Sequence, residues 1–167
     1  FIITYFIGKS IFSSRIGVLS SAIMALHPAQ IFSTSLLLTE ILNTFLLCLA
    51  FLSIIYTLNN YSYFFAILTG TLLGLSTLCH PSGLLIPLII FLSIVIFQNE
   101  KAKIKLAFLV LIISFTTLAP WTYRNYKEFD EFILISNSSM AFAFWYANYE
   151  PWDLEFRGWD EPPLDVL

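Results

Sequence analysis

Charge is what this sequence has least of. Asp, Glu, Lys and Arg make up 11% of it, against 58% hydrophobic residues, whereas a soluble domain carries roughly a quarter charged residues. Between Glu40 and Glu100 there is no Asp, Glu, Lys or Arg at all, only His80. A water-facing surface cannot be built from such a stretch. One bilayer crossing takes about 20 apolar residues, so the interval is long enough for more than one. Cysteine is scarce too: Cys48 and Cys79 fall in apolar segments without a spaced partner, which leaves each as a small hydrophobe and argues against a disulfide or metal role. No zinc-type ligand spacing and no Gly-rich nucleotide loop occurs. The net charge of -3 is spread across the loops, which speaks against a nucleic-acid partner.

The chain opens on Phe1 inside an apolar run, without the basic start and small-residue cleavage site of a secretory leader. Its last residues, Pro162 to Leu167, carry no helix stop or tail signal. The sequence therefore reads as cut at both ends.

What is present is a series of apolar stretches separated by polar or proline-containing breaks. Phe1 to Ile7 is the tail of a helix ending at Gly8-Lys9-Ser10, and Ile16 to Leu26 is closed by His27-Pro28. Ile31 to Tyr56 breaks at Asn59-Asn60-Tyr61-Ser62, and Tyr63 to Leu78 ends at Cys79-His80-Pro81-Ser82-Gly83. Leu84 to Phe97 precedes the charged run from Gln98 to Lys105, and Leu106 to Ala119 stops at Pro120-Trp121. Proline lacks a backbone donor and disfavours helix in the residue before it, so each such break is an expected helix end. The expected fold class is all-α: a polytopic transmembrane helix bundle of about six spans over 1–121, the first truncated, then a short extracytoplasmic or interfacial segment over 122–167. Gly70 and Gly74 form a small-xxx-small pair suited to close helix packing. Phe132-Ile133-Leu134-Ile135 reads as a short strand or a buried loop segment.

Lys and Arg stay on the cytoplasmic side of short loops. Lys9 and Arg15 flank the first loop, and Lys101, Lys103 and Lys105 cluster in the fifth. Odd loops are therefore expected to be cytoplasmic. The even loops, with His27-Pro28, His80-Pro81 and Pro120 to Asn125, are then external, and Arg124 and Lys127 depart from the charge bias.

Glu40 is expected about two turns into its span, where an ionisable group costs several kcal/mol unless it is near the surface or has a partner. It is either a boundary charge at the outer interface or a carboxylate lining an external cavity. Arg124, close behind Trp121, presents a planar fork that suits phosphate oxygens, or else belongs to an interfacial aromatic belt. His27 and His80 each precede a proline at an outer helix end, as hydrogen-bonded loop residues or as ligands or bases. Trp121, Trp145, Trp152 and Trp159, with Tyr146 and Tyr149, are either a sugar-stacking surface or an interfacial anchor.

Taken together, Tyr5-x-x-Gly8-Lys9-x-x-Phe12, His27-Pro28 with Thr39-Glu40, Gly70-x-x-x-Gly74-Leu75 leading to His80-Pro81, and Pro120-Trp121-x-x-Arg124-Asn125-Tyr126 with Phe129, Phe132 and Ile135-Ser136 resemble the membrane-embedded glycosyltransferases of the C superfamily. Within it the resemblance is to the bacterial enzymes related to protein mannosyltransferases and to the aminoarabinose transferase. It extends to about Asn148.

The resemblance implies a polyprenyl-phosphate-linked sugar as donor, a lipid, glycan or protein acceptor, and a site on the extracytoplasmic side of the plasma (inner) membrane, in contact with membrane lipids. Glu40 matches the family's acidic position and is the catalytic candidate. Arg124, with Trp121, Asn125, His80 and His27, is the substrate-binding set. The family often has Arg where this chain has His80, and its usual catalytic acid lies in a first external loop, expected upstream of Phe1. The implied reaction is displacement at the anomeric carbon, with a carboxylate deprotonating the acceptor hydroxyl and a cation offsetting charge on the departing phosphate. No motif calls for a cofactor, and a divalent cation is compatible with this chemistry. A transporter, a flippase or a non-catalytic membrane scaffold is the competing class.

Overall fold

The computed structural model describes residues 1–28, 30–31, 39–98, 100–129 and 134. Among these the chain is all-helical, with no strand. Six α-helices and one 3-10 helix follow in order: α1 (Ile2–Ile11), α2 (Ser14–Leu26), α3 (Thr39–Asn60), α4 (Tyr63–Cys79), the 3-10 helix (Pro81–Leu85), α5 (Ile86–Phe97) and α6 (Lys101–Phe129). They lie in one compact unit, Phe1–Ile135.

Two helices, Thr39–Asn60 and the Lys101–Lys127 stretch of α6, are long and apolar enough to cross a membrane. In each, 28% of the apolar window is buried inside the protein, so most of the apolar surface points outward. The other helices are shorter. At 1.5 Å per residue α4 spans ~25 Å and α2 ~20 Å, against a hydrocarbon core of about 30 Å.

The bundle is built with its apolar mass outside. Ile23, Phe45, Phe64, Ile89, Ile96 and Phe108 are exposed, while Ser53, Thr57, Thr69, Ser76, Thr77 and Ser114 are buried beside Ala50, Ala66 and Leu73. In water this arrangement would waste the hydrophobic effect, about 25 cal/mol per Å² of apolar area. In hydrocarbon it costs nothing, and small residues then let helix backbones approach.

Helix α4 is the centre, packed between α3 and α6. A Cβ on Gly70 would lie 2.7 Å from Ile113 Cβ and 2.8 Å from the Val110 carbonyl oxygen; on Gly74 it would lie 2.6 Å from Thr117 Cβ and 2.9 Å from the Ser114 carbonyl oxygen. Gly70 and Gly74 thus form the groove that receives α6, which runs in the same direction as α4.

Two expected helix ends are corrected. Gly8 does not stop α1, which continues to Ile11. Instead Gly8 is buried, and a Cβ there would come 2.9 Å from the Gly17 Cα, so it serves the tight crossing of α1 and α2. Pro120 lies inside α6, which runs on to Phe129. Proline removes one ladder bond there, and threonines lend support on both sides: Thr117 Oγ1 donates to the Ile113 carbonyl (2.8 Å) and Thr122 Oγ1 to the Leu118 and Leu134 carbonyls (3.2 Å each). Of the expected strand or loop segment at 132–135, only Leu134, a bend, is among the described residues. Trp145, Trp152 and Trp159, with Tyr146 and Tyr149, lie outside them.

Candidate functional site

Printed contacts fix which helix ends meet. Ser76 Oγ, in the last turn of α4, donates to Asn43 Oδ1 in the first turns of α3 at 2.6 Å. Phe1, Ile3 and Thr4, with Met24, Gln30, Ile31, Ile41 and Thr44, line one cleft, which brings the start of α1, the end of α2 and the start of α3 together. Helix α6 passes Gly70 at Val110 and Ile113 and Gly74 at Ser114 and Thr117, so its later residues reach the end where α4 finishes. His27, Glu40, His80, Trp121 and Arg124 therefore belong to the same end of the bundle.

The opposite end carries the Lys cluster. Tyr61, in the α3–α4 turn, donates its hydroxyl proton to Glu100 Oε2. Lys103 Nζ lies 2.9 Å from Glu100 Oε1 and 5.7 Å from the Tyr61 ring centroid. From Lys105 to Arg124 the helix climbs ~29 Å at 1.5 Å per residue, about the thickness of a hydrocarbon core. Helix length alone separates the basic end from the end bearing Arg124.

Arg124 is exposed, with its Cζ 5.0 Å from the Trp121 ring centroid. The two are three residues apart on one helical face, and an exposed cation–π contact contributes ~0.5–1 kcal/mol. The ring flanks a guanidinium that belongs to an exposed residue. Asn125, expected beside it as a ligand, is fully buried, inside the bundle and away from the surface.

Glu40 sits in the first turn of α3 and is exposed. A carboxylate there is favoured by the helix dipole by ~0.3–1 kcal/mol, which accounts for a charge at this depth without a cationic partner. Its neighbours Ile41 and Thr44 line the cleft, together with Phe45 and Cys48 deeper along α3. The cleft is mainly apolar, with a volume of about 350 Å³.

His27 caps α2 and is exposed, its carbonyl accepting from Gln30 and Ile31 N–H at 3.1 and 3.2 Å. His80 is half-buried between α4 and the 3-10 helix, with its Nδ1 2.7 Å from Ser82 Oγ. Sequence reasoning had no signal for that bond beyond the turn residues Pro81-Ser82-Gly83. Nor did it find the Tyr61–Glu100–Lys103 cluster, although Asn59-Asn60-Tyr61-Ser62 marked the turn. Tyr61 has φ 52°, the left-handed region, rare for a bulky residue.

Bonding by Tyr61 and then Lys103 holds the Glu100 carboxyl below its ordinary range, and the same contact with Glu100 pushes the Tyr61 phenol up.

Among the described residues, Glu40 and Arg124 form no ion pair with each other or with another side chain; the ion pair present is Lys103–Glu100. Both cysteines are free. No group of three or more His, Cys, Asp or Glu that could hold a metal ion occurs among the described residues. The candidate residues thus share one end of the bundle, where the contact between two of them is that of Arg124 with Trp121, an open arrangement with one exposed acid, one ring-backed cation and one hydrogen-bonded imidazole. No family model matches the chain, and comparison with the curated proteins and with the solved structures returns no match.

Proposed function

We propose that this chain is part of a multi-pass membrane glycosyltransferase that moves a sugar from a polyprenyl-phosphate carrier to a lipid, glycan or protein acceptor on the extracytoplasmic face. The observation that carries the reading is the sidedness of the bundle. Lys101, Lys103 and Lys105 start α6 at one end, while Glu40, His80 and Arg124 gather at the other. Under the charge bias of membrane topology the basic end is cytoplasmic. The short helices α1, α2, α4 and α5 then complete the crossings, with local bilayer thinning making up their length.

A lipid-linked donor suits this geometry. Its chain stays in the hydrocarbon, and its phosphate reaches the headgroup level, where Arg124 stands over Trp121. The guanidinium would pair with phosphate oxygens and offset the charge that grows as the anomeric carbon–oxygen bond breaks. Trp121 would hold the fork and offer a ring edge to the sugar. Glu40 supplies a carboxylate at the same level, and a base at this end of the bundle takes the acceptor's proton.

A transporter or flippase needs polar groups opening onto a path at mid-depth. The buried polar side chains at that depth are spent on backbone: Ser53 Oγ donates to the Phe65 carbonyl, Thr69 Oγ1 to the same carbonyl and Ser114 Oγ to the Val110 carbonyl. That favours a site at the surface over one in the interior.

The experiment is transfer from a radiolabelled polyprenyl-phosphate sugar in membranes carrying the protein. Arg124→Ala is expected to abolish product while leaving insertion intact, and full activity in that variant would remove Arg124 from the site. Labelling of Arg124→Cys in intact cells tests the sidedness: reaction with membrane-permeant reagents only, showing a cytosolic location, would overturn the proposal.

A further inference from the structure

The lysines that open α6 divide by face. Lys103 is half-buried, its Nζ 2.9 Å from Glu100 Oε1 and 3.3 Å from Gln98 Oε1, and it lies over the Tyr61 ring. Lys101 and Lys105, two residues to either side of it, are on the opposite face of the helix and are exposed. Among the described residues neither enters an ion pair, and Glu100, the acid at this end, is engaged by Tyr61 and Lys103. No acidic residue stands in the first turn of α6 to offset them. Residues four apart on a helix have Cβ atoms about 5–6 Å apart, and like charges at that spacing repel. The pair is a doubly positive spot without a counter-charge from the described chain.

The same face continues as a strip of large apolar side chains. Phe108, Ile112 and Phe115 follow Lys105 at the spacing of one helical face and are exposed, while Leu106, Val110 and Ser114 between them are buried in the bundle. From Lys105 to Phe115 the helix rises ~15 Å at 1.5 Å per residue. That is half of a hydrocarbon core of about 30 Å, the depth of one leaflet. Phe91 of α5 flanks the strip, its ring centroid 5.9 Å from that of Phe108. We propose that this face of α6 holds an anionic phospholipid, its phosphodiester between Lys101 and Lys105 and an acyl chain along Phe108, Ile112 and Phe115. Basic residues beside a membrane-crossing helix attract anionic headgroups, and here two ammonium groups are close enough to share one phosphodiester. A soluble anion would match the charge and leave the strip uncovered. A zwitterionic lipid would cover the strip and bring its own cation to the lysines. The inference uses α6 as a helix long and apolar enough to cross a membrane and does not use the transferase reading, so either can fail without the other.

The test is native mass spectrometry of the detergent-solubilised protein, titrated with phosphatidylglycerol and phosphatidylcholine of the same acyl chains and with glycerophosphoglycerol as the headgroup without chains. Phosphatidylglycerol is expected to bind more tightly than phosphatidylcholine. Each lysine near an anionic headgroup is worth about fivefold in affinity, so Lys101→Gln combined with Lys105→Gln should weaken phosphatidylglycerol about 25-fold. Lys101→Arg combined with Lys105→Arg keeps the charge and should keep the binding, which separates loss of charge from damage to the fold. Lys9→Gln combined with Arg15→Gln removes equal charge from the α1–α2 turn and should change affinity by no more than about twofold, since separated exposed charges are screened. Phe108→Ala should weaken both lipids. Equal affinity for the two lipids, or an equal loss in the Lys9 and Arg15 double variant, would overturn the proposal and leave these lysines to topology alone. Glycerophosphoglycerol competing at the lipid's own concentration would overturn it in favour of a soluble anion.

Discussion

Replacing Gly74 by alanine tests the packing on which the whole arrangement rests, because crowding and openness predict opposite signs. On an open helix face Gly→Ala stabilises by ~0.4–1 kcal/mol, by lowering the entropy of the unfolded chain and raising helix propensity. At Gly74 the new Cβ would meet Thr117 Cβ at 2.6 Å and the Ser114 carbonyl oxygen at 2.9 Å, where ordinary contact begins at 3.4 Å. Restoring that contact requires α4 and α6 to part by ~0.8 Å, and the backbone oxygen cannot rotate away. Overpacking of this kind costs ~1–3 kcal/mol, which outweighs the propensity gain. Gly74→Ala is therefore expected to lower stability by about 1–2 kcal/mol, read as an earlier midpoint in thermal unfolding of the detergent-solubilised protein. Thr116→Ala, at an exposed position of α6, is the control and should fall within ~0.5 kcal/mol of wild type. A Gly74→Ala protein as stable as wild type, or more so, would mean that α4 and α6 do not meet through this groove.

Glu40→Gln is expected to lower the transfer rate by at least tenfold while leaving thermal unfolding nearly unchanged, since the residue is exposed; wild-type turnover would return Glu40 to a boundary charge. Ser76→Ala removes the 2.6 Å bond to Asn43 and should cost ~0.6–1.7 kcal/mol, checked by unfolding beside the Asn43→Ala partner in a double-mutant cycle. The Tyr61–Glu100–Lys103 cluster sets a pH dependence at the Lys-rich end. Because the folded Glu100 carboxyl is held below its ordinary 4.5, its contribution is present above that value and is lost as pH falls through the depressed one. Because the folded Tyr61 phenol is raised above 10.0, its contribution is present below that value and is lost as pH climbs through the raised one. Tyr61→Phe should weaken both limbs, leaving the Lys103–Glu100 pair. Unfolding midpoints measured across both ranges check this, and unchanged limbs would refute it.

The helical class, the outward apolar surface and most of the punctuation were legible in the sequence, because hydropathy and turn chemistry are local. His27-Pro28, the Asn59–Ser62 turn and His80-Pro81 fall at helix ends as expected. Pro120 and Gly8 misled for one reason: each breaks or weakens an isolated helix, but its surroundings in the fold decide the outcome. Gly8 has Gly17 against it, and Pro120 has threonines on either side whose hydroxyls bond backbone carbonyls. Of the candidate site, the shared end of Glu40, His80 and Arg124 follows from the alternating directions of successive helices. The ring of Trp121 beside Arg124 follows from an i, i+3 spacing. The burial of Asn125 and the Ser82 bond to His80 depend on tertiary packing and on a turn geometry that periodicity does not report.

The inside-out distribution of side chains carries a consequence for engineering. Interior contacts among α3, α4 and α6 are made by glycine, alanine, serine and threonine together with Ile54, Leu73, Leu106 and Val110, and among the described residues no buried side-chain nitrogen or oxygen lacks a partner. The outer Leu, Ile and Phe shell contributes little to how these helices recognise each other; it answers only to the solvent around it. Recolouring that shell with Glu, Lys and Gln, leaving every inward position untouched, should therefore yield a water-soluble analogue that keeps the same helix pairings.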